Sequence, residues 1–271
     1  MMLIVGELIN TSRKQIREAV ENRDSWYIKE TARKQEESGA HYIDVNCGTL
    51  IEDELELMQW LVQNVQEAVR IPLCIDTPNP AAMEAGLALL SRTPAFINSI
   101  TAERKSYETL LPLVLKYKTK LVALCMDDKG IPASADDRIQ IVRWLISHLS
   151  ADGVQKEHIY LDPLITPVST GDRAGWEVLE TIRFIRHDYP EVHTICGLSN
   201  ISYGLPNRKV LNQTFMVQTM AAGMDAYILD PTDHEMMGFL YASQTLLGID
   251  PYCGKYIKAF RNGLYNKRSA I

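Results

Sequence analysis

Polar side chains, mostly acids and amides, recur at eight points of the sequence, each directly after a short apolar run. A single Asp after a strand is usually a helix N-cap, but capping does not account for the same chemistry at eight places. A carboxylate can accept two parallel hydrogen bonds, and an amide can donate and accept at once. The set favours a neutral heterocycle rich in N–H and C=O groups, such as a pterin, a purine or another ring of this kind. It consists of Glu7 and Asn10, Asp44 and Asn46, Asp76, Asn98, Asp127, Asp162, Ser199 and Asn200, and Asp230.

The apolar runs that precede these residues predict eight β-strands. Each run is nearly continuous rather than alternating, which suits strands buried on both faces of a parallel sheet. The predicted strands are Leu3–Gly6, His41–Val45, Ile71–Ile75, Ala95–Asn98, Lys120–Met126, His158–Leu161, His193–Leu198 and Asp225–Leu229.

Helical patterns separate the predicted strands. Apolar residues recur at helical spacing in these segments, and glycines such as Gly39 and Gly223 stand where a helix would end. The predicted helices are Ser25–Ser38, Glu54–Ala68, one that begins at Pro80, Glu103–Tyr117, Asp136–Ala151, Trp176–Asp188, Val210–Ala222 and Asp233–Leu247.

Eight alternating strand–helix units in 271 residues predict a closed (β/α)8 TIM barrel of the α/β class rather than an open sheet. No shift of composition marks a second domain, so the prediction is a single domain over residues 1–271. Since the carboxyl ends of barrel strands meet at one rim, we expect the polar residues to gather at the mouth of the barrel.

Metal and Schiff-base chemistry are disfavoured by what the strand ends lack. His41, His158 and His193 open strands and so belong at the opposite end of the barrel, and no lysine stands inside a strand or at its carboxyl end. The cysteines are odd in number, lie far apart and form no C-x-x-C pair. We therefore expect no bound metal and no disulfide framework. The cysteines are Cys47, Cys74, Cys125, Cys196 and Cys253.

The net charge of −6 argues against nucleic acid as a partner. A mildly basic group near the C-terminus is expected to be a solvated helix end; it comprises Lys255, Lys258, Arg261, Lys267 and Arg268. No segment approaches the roughly 18 uninterrupted apolar residues of a membrane span, and the N-terminus has no leader pattern. A cytoplasmic protein is the expectation.

Taken together, the motifs resemble those of the pterin-binding methyltransferases that act on methyltetrahydrofolate and corrinoid proteins, and of the folate module of cobalamin-dependent methionine synthase. Dihydropteroate synthase shares the fold and some acid and amide positions but lacks the Gly197-Leu198-Ser199-Asn200 block. The segments that carry the resemblance are Gly6–Asn10, Gln35–Ala40, Ile43–Asn46, Leu73–Thr77, Ile97–Ser99, Asp162–Ile165, Gly197–Ser202, Asn207–Arg208 and Asn212–Phe215.

The resemblance implies roles for particular residues. Asn200 matches an amide that reaches the methyl-bearing ring nitrogen, so it is the predicted catalytic residue. Tyr203 departs from the pattern, because relatives place there an amide that contacts the folate. The residues expected to bind the folate are Asp76, Asn98 and Asp162 around the pterin ring, Gly197 and Ser199 in the same pocket, Arg208 near the outer part of the folate, and Glu7, Asp44, Asn46 and Asn200.

The implied activity is methyl transfer between a methylated corrinoid (cobalamin) protein and tetrahydrofolate, which forms or consumes 5-methyltetrahydrofolate. The chain lacks an Asp-x-His-x-x-Gly corrinoid-binding sequence. We therefore expect the cobalamin on a separate protein that docks transiently over the barrel mouth, while the barrels pair as a homodimer away from it.

Two alternatives stand beside this reading. A dihydropteroate-synthase-like condensation would need a basic phosphate site near the last loops, where Asp230-Pro231-Thr232-Asp233-His234 is acidic. A non-catalytic folate-binding partner of a corrinoid protein would predict loss of the polar rim.

Overall fold

The computed structural model describes residues 2–266. The strands are β1 Leu3–Asn10, β2 Tyr42–Asn46, β3 Leu73–Asp76, β4 Phe96–Thr101, β5 Lys120–Leu124, β6 Ile159–Asp162, β7 His193–Gly197 and β8 Ala226–Leu229. The helices are α1 Lys14–Glu21, α2 Ser25–Glu37, α3 Glu54–Ala68, α4 Pro80–Ala88, α5 Arg104–Tyr117, α6 Ala135–Ala151, α7 Ala174–Asp188, α8 Arg208–Ala222, α9 His234–Leu246 and α10 Gly254–Arg261.

The eight strands form one closed, all-parallel barrel in sequential order. Pairing of β1 with β8, from Leu3 opposite Ala226 to Gly6 opposite Leu229, closes it. The helices between strands cover the outer face, as parallel strands buried on both sides require. The predicted single-domain (β/α)8 barrel is confirmed.

The strand bounds differ from the prediction mainly at β1, which runs four residues beyond Gly6. Its register against β2 shifts between Gly6 and Ile9, which marks a β-bulge. Several strands also begin one or two residues later than predicted. One example is His41, which precedes β2 instead of opening it. The Nδ1 atom of its ring accepts a hydrogen bond from the Ile4 N–H over 3.1 Å.

Two helices were not predicted. Helix α1 is short, and its N-cap residue Arg13 makes no side-chain cap, so no start signal precedes it. Helix α10 carries Lys255, Lys258 and Arg261 and buries only Ala259, which agrees with the expected solvated helix. The predicted basic residues Lys267 and Arg268 lie outside the described residues.

The middle of the barrel interior is apolar, and side chains fill its amino end. Alternate strand residues point inward, and those of the middle layer are buried: Val5, Tyr42, Cys74, Phe96, Val122, Tyr160, Ile195 and Ala226. Below them, Lys120 Nζ lies 5.6 Å from the ring centroid of Phe96 and 5.3 Å from that of Tyr160. It also donates a hydrogen bond to the Tyr160 hydroxyl over 3.2 Å. The lysine stem and the aromatic rings fill this end.

Candidate active site

Beyond this apolar middle layer, the inward-facing positions become polar toward the carboxyl ends of the strands. Period-2 alternation carries the interior from Cys74 to Asp76, from Phe96 to Asn98 and from Tyr160 to Asp162. The same step adds Glu7 on β1, Asp44 and Asn46 on β2, and Gly197 on β7. The structure therefore gathers these predicted residues at the barrel mouth.

Acid and amide groups alternate across β2, β3 and β4. The Nδ2 of Asn46 donates to Oδ2 of Asp76 over 2.8 Å. Asp76 pairs in register with Asn98, whose Nδ2 lies 3.5 Å from Oδ1 of Asp44. Asp44 is 2% exposed and in register with Cys74, so it lies one layer below the mouth. The group is a continuous hydrogen-bonded network with its upper members open to the mouth.

The two carboxyls of this network titrate differently. Burial raises the pKa of Asp44 well above its usual value, and the neighbouring Asp76 raises it further. Burial also raises the pKa of Asp76, to about 6, against the hydrogen bonds from Asn46 and Asp44, which lower it. Since like-charged neighbours resist joint ionisation, Asp44, the more deeply buried of the two carboxyls, is the one that ionises less readily.

Asp162 stands on β6, four strands away from β2 in the closed barrel. Burial raises the pKa of its carboxyl to about 7, while a hydrogen bond from the Leu164 N–H lowers it. That bond spans 2.8 Å to Oδ1. A buried carboxyl poised near neutrality gains its charge readily when a ligand offers N–H donors.

Glu7 is placed by the bulge in β1. Its Oε1 accepts a hydrogen bond from Arg13 Nη2 over 2.6 Å, and burial raises the pKa of its carboxyl. The Leu8 N–H donates to Oε1 of Gln35 in α2 over 2.9 Å. Gln35 can approach because Gly6 has no Cβ; a Cβ there would lie 2.5 Å from Oε1. Gln35 belongs to a segment that carries the family resemblance, but the sequence predicted no role for it. No role was predicted for Arg13 either.

Residues 199–202 form a single 3-10 turn after β7, and this turn presents Asn200. Arg208 braces the turn: its Nη2 donates to the Ser199 carbonyl over 2.5 Å and its Nε to Ser202 Oγ over 3.0 Å. Asn200 and Tyr203 are exposed, and within residues 2–266 no hydrogen bond engages the Asn200 side-chain amide. The predicted catalytic amide is thus free to contact a ligand.

Three rim residues from the sequence survey serve local turns instead. The side-chain oxygens of Asn10, Asp127 and Asp230 accept the backbone N–H groups of Ser12, Lys129 and Thr232, respectively. Asp127 also lines a cavity of about 900 Å³ between α5 and α6. None of the three is a helix N-cap, since Arg13, Ser134 and Asp233 occupy the N-cap positions of α1, α6 and α9; they stabilise turns within the loops instead.

The described residues contain no cluster of three or more His, Cys, Asp or Glu side chains arranged to hold a metal ion. All five cysteines are free thiols, and four of them are buried. Among residues 2–266, none of the helices combines the length and apolar character needed to cross a bilayer.

A parallel eight-stranded barrel with acid and amide side chains at its mouth is suited to an enzyme that binds a ring rich in N–H and C=O groups. Residues 6–230 match the family of pterin binding enzymes, and the chain belongs to that family. The resemblance seen in the motifs is confirmed.

Particular relatives narrow the comparison. The chain is 39% identical over 264 residues to the methylcorrinoid:tetrahydrofolate methyltransferase of Eubacterium limosum, and the match covers 97% of both chains. It is 31% identical over 241 residues to methionine synthase of Mycobacterium tuberculosis, over 84% of this chain but only 20% of that protein. The solved dihydropteroate synthase of Xanthomonas albilineans superposes with a TM-score of 0.67 over 93% of each chain at 17% identity, which shows a shared fold alone.

Proposed function

We propose that the chain transfers a methyl group from a methylated corrinoid protein to tetrahydrofolate and so forms 5-methyltetrahydrofolate. The observation that carries this proposal is the similarity to a methylcorrinoid:tetrahydrofolate methyltransferase along nearly the whole of both chains. The acid and amide side chains at the mouth support the proposal, because they can form hydrogen bonds with the pterin ring of a folate. The proposed domain is the entire chain, residues 1–271.

The mouth suits the pterin ring of the folate. The amino-amidine edge of a pterin offers adjacent N–H donors, which a carboxylate accepts side by side. Burial raises the pKa of Asp76 to about 6 and that of Asp162 to about 7, and bound N–H groups would favour the ionised form of both carboxyls. Asn46 and Asn98 supply amides beside them. Asp44, buried beneath, would act by fixing Asn98 and Asp76 rather than by touching the ligand.

The remaining predicted residues surround this centre. Gly197 presents no side chain to the mouth, and among the described residues no atom lies within 4 Å of where its Cβ would stand. This leaves room for a ring. Ser199 and Arg208 hold the turn that carries Asn200. Glu7, tied to Arg13, closes the β1 side.

Methyl transfer needs little from the protein besides positioning and control of one proton. As N5 of tetrahydrofolate attacks the methyl carbon, the N–CH3 bond forms, the cobalt–carbon pair stays with the cobalt, and the N5 proton must leave. Positive charge develops on N5 in this step. The side-chain carbonyl of Asn200 can accept a hydrogen bond from N5–H, and this bond strengthens as the charge develops. In the reverse reaction its NH2 group can donate a hydrogen bond to N5. An amide is no acid or base near neutral pH, so the proton passes to solvent.

The cobalamin, in this proposal, belongs to a separate corrinoid protein and is the methyl-donor substrate. The rim offers that protein exposed apolar side chains on three connections: Ile51 after β2, Ile131 after β5 and Tyr203 after β7. A transient partner suits such scattered contacts. We further propose a cytoplasmic location, with which the free thiols agree.

The test combines the purified chain with free methylcobalamin and tetrahydrofolate. We expect loss of the methylcobalamin spectrum in step with formation of 5-methyltetrahydrofolate, and no effect of prior dialysis against a chelator. Formation of dihydropteroate from a pterin diphosphate and 4-aminobenzoate, without methyl transfer, would favour the condensation reaction instead. Binding of tetrahydrofolate without turnover, even with a methylated corrinoid protein, would favour a non-catalytic partner.

A companion experiment tests docking. Replacing Ile51 or Ile131 by Asp should impair turnover with a methylated corrinoid protein but spare turnover with free methylcobalamin. Equal losses with both donors would contradict docking at the rim.

A further inference from the structure

Arg138 is the largest fully buried side chain of the described residues. It lies in the first turn of α6 with 1% of its surface exposed. Its guanidinium donates to three backbone carbonyls: Nε to Pro163 over 2.8 Å, Nη1 to Ser134 over 3.1 Å and Nη2 to Leu164 over 3.3 Å. Among residues 2–266, no carboxylate lies within ion-pair distance of it. Burial lowers the pKa of this guanidinium, and the charges of Glu177 and Asp137 oppose that shift. The hydrogen bonds that compensate for its costly burial all go to the three backbone carbonyls.

Two of those carbonyls belong to the loop that follows β6. Within this loop Leu164 adopts a left-handed backbone conformation with φ 57°. A branched side chain rarely adopts that conformation, because its Cβ crowds the carbonyl oxygen. The Leu164 N–H belongs to the same peptide group as the Pro163 carbonyl that Arg138 holds, and it points toward Asp162, whose Oδ1 accepts it over 2.8 Å. Three consecutive residues thus join the guanidinium to the carboxyl of the mouth.

We propose that Arg138 is a positioning residue for Asp162, which it acts on by clamping Pro163 and Leu164 in the conformation that hydrogen-bonds and orients the carboxylate. Arg138 touches no substrate. Its guanidinium holds several N–H donors in a rigid plane, which suits two successive backbone carbonyls. A lysine ammonium, which is a single point charge, would hold both carbonyls less well. The role rests on the proposed function only in that Asp162 is taken to bind tetrahydrofolate; the clamp itself is independent of it.

Hydrogen exchange of the Leu164 amide tests the clamp without any ligand. In the unmodified chain the bond to Asp162 should protect this amide. In Arg138→Met its exchange should accelerate at least tenfold relative to the amides of the β6 strand. Unchanged protection of the Leu164 amide would overturn the proposal, whatever the enzyme's substrate is.

Binding and rescue test the consequence. By calorimetry, Arg138→Met should weaken tetrahydrofolate binding on the order of tenfold, while kcat with free methylcobalamin at saturating folate stays within about threefold. Leu164→Gly in the same chain should restore at least a third of the lost affinity, because glycine adopts a positive φ without strain. Arg143→Met, on the exposed side of the same helix, should change neither quantity.

Several outcomes separate the hypotheses. If the unmodified chain fails to bind tetrahydrofolate, the proposed function fails, and the exchange experiment alone decides the clamp. If Asp162→Asn weakens binding but Arg138→Met does not, the positioning role is wrong. If Arg138→Met does not fold by circular dichroism, Arg138→Lys takes its place with the same rescue. Failure of Leu164→Gly to restore affinity in a folded Arg138 variant would mean that Arg138 is merely structural.

Discussion

Asn46 Nδ2 donates a hydrogen bond to Asp76 Oδ2 over 2.8 Å, so an amide on one strand stabilises the ionised form of a carboxyl on the next. This bond lowers the pKa of Asp76, which burial raises to about 6. Asn46→Ala should therefore raise that pKa further and leave more of Asp76 protonated at pH 6 to 7. Tetrahydrofolate binding should weaken on the order of tenfold at pH 6.5, and less at pH 8.5, where the carboxylate is ionised in both proteins.

Calorimetric titrations at several pH values measure this effect. Asn10→Ala is the matched control, since Asn10 is in register with Asn46 but its amide serves a local turn. A loss of affinity that is equal at every pH would show that Asn46 contacts the ligand without controlling Asp76.

Replacing Asp162 should make the protein more stable and less able to bind. Burial raises the pKa of Asp162 from 3.8 to about 7, so the folded state binds this proton more tightly than the unfolded state. The resulting stabilisation is complete below pH 3.8 and is lost as the pH rises through 7. At pH 8, Asp162→Asn should raise the free energy of unfolding by roughly 1–3 kcal/mol, with little gain at pH 4.

Urea denaturation at the two pH values checks this prediction, with Asp172→Asn in an exposed turn as the control. The same variant should lose tetrahydrofolate affinity by about 1.5–3 kcal/mol, the value of a charged hydrogen bond. A variant that is less stable at pH 8 would mean that the Asp162 carboxylate stabilises the fold.

Asn200 should separate binding from chemistry. Asn200 is exposed on the turn after β7, and in the proposed reaction its bond to the reacting nitrogen would strengthen as charge develops there. Asn200→Ala should slow methyl transfer about 100-fold or more, the range of proton-transfer assistance. The dissociation constant of tetrahydrofolate should change by less than about threefold. Single-turnover rates and calorimetry measure the two quantities, and parallel losses in both would reduce Asn200 to a binding residue.

Gly6 should tolerate no side chain. A Cβ at this position would lie 2.5 Å from Gln35 Oε1, and Gln35 is completely buried. Gly6→Ala must push Gln35 aside and strip the Leu8 N–H of its acceptor, at a cost of about 2–4 kcal/mol in the free energy of unfolding. Gly197→Ala is the counterpart: open space surrounds its Cβ position, so stability should change by less than about 1 kcal/mol while folate binding weakens. Equal stabilities of the two variants would contradict the assigned contact.

We expect the homodimer to form through apolar side chains that are exposed far from the mouth. They are Leu246 at the end of α9, Tyr252 between α9 and α10, and Phe260 on α10, which are 87%, 99% and 62% exposed. Leu246→Asp combined with Phe260→Asp should convert a dimer to a monomer in light scattering, with methyl transfer from free methylcobalamin retained. Trp26→Asp, equally exposed on α2, should leave the mass unchanged. A monomeric unmodified chain would refute pairing.

The fold was predictable because its signals are local. Continuous apolar runs indicate strands buried on both faces, and their number and alternation with helices lead to a closed barrel. The parts missed were those without a local signal. Helix α1 lacks a capping side chain, and the extension of β1 past Gly6 depends on a bulge that Gln35, 27 residues away, holds in place.

The candidate site was predictable only in its members. Alternation along each strand places Asp76, Asn98 and Asp162 on one rim, whichever helices surround them. Their electrostatics come from contacts across the fold, such as Asn46 with Asp76 and Arg138 with the loop after Asp162. Spacing in the sequence carries no trace of such contacts, because neither partner is near the other along the chain.

The closed amino end of the barrel has a kinetic consequence. Since Lys120 and the rings of Tyr42, Phe96 and Tyr160 fill that end, the mouth is the one entrance for folate in the proposed function, and a corrinoid protein docked over the rim would cover it. We therefore expect ordered binding, in which tetrahydrofolate enters before the partner docks and 5-methyltetrahydrofolate leaves after the partner has dissociated. The same geometry predicts that excess corrinoid protein inhibits turnover by occupying the enzyme before folate binds.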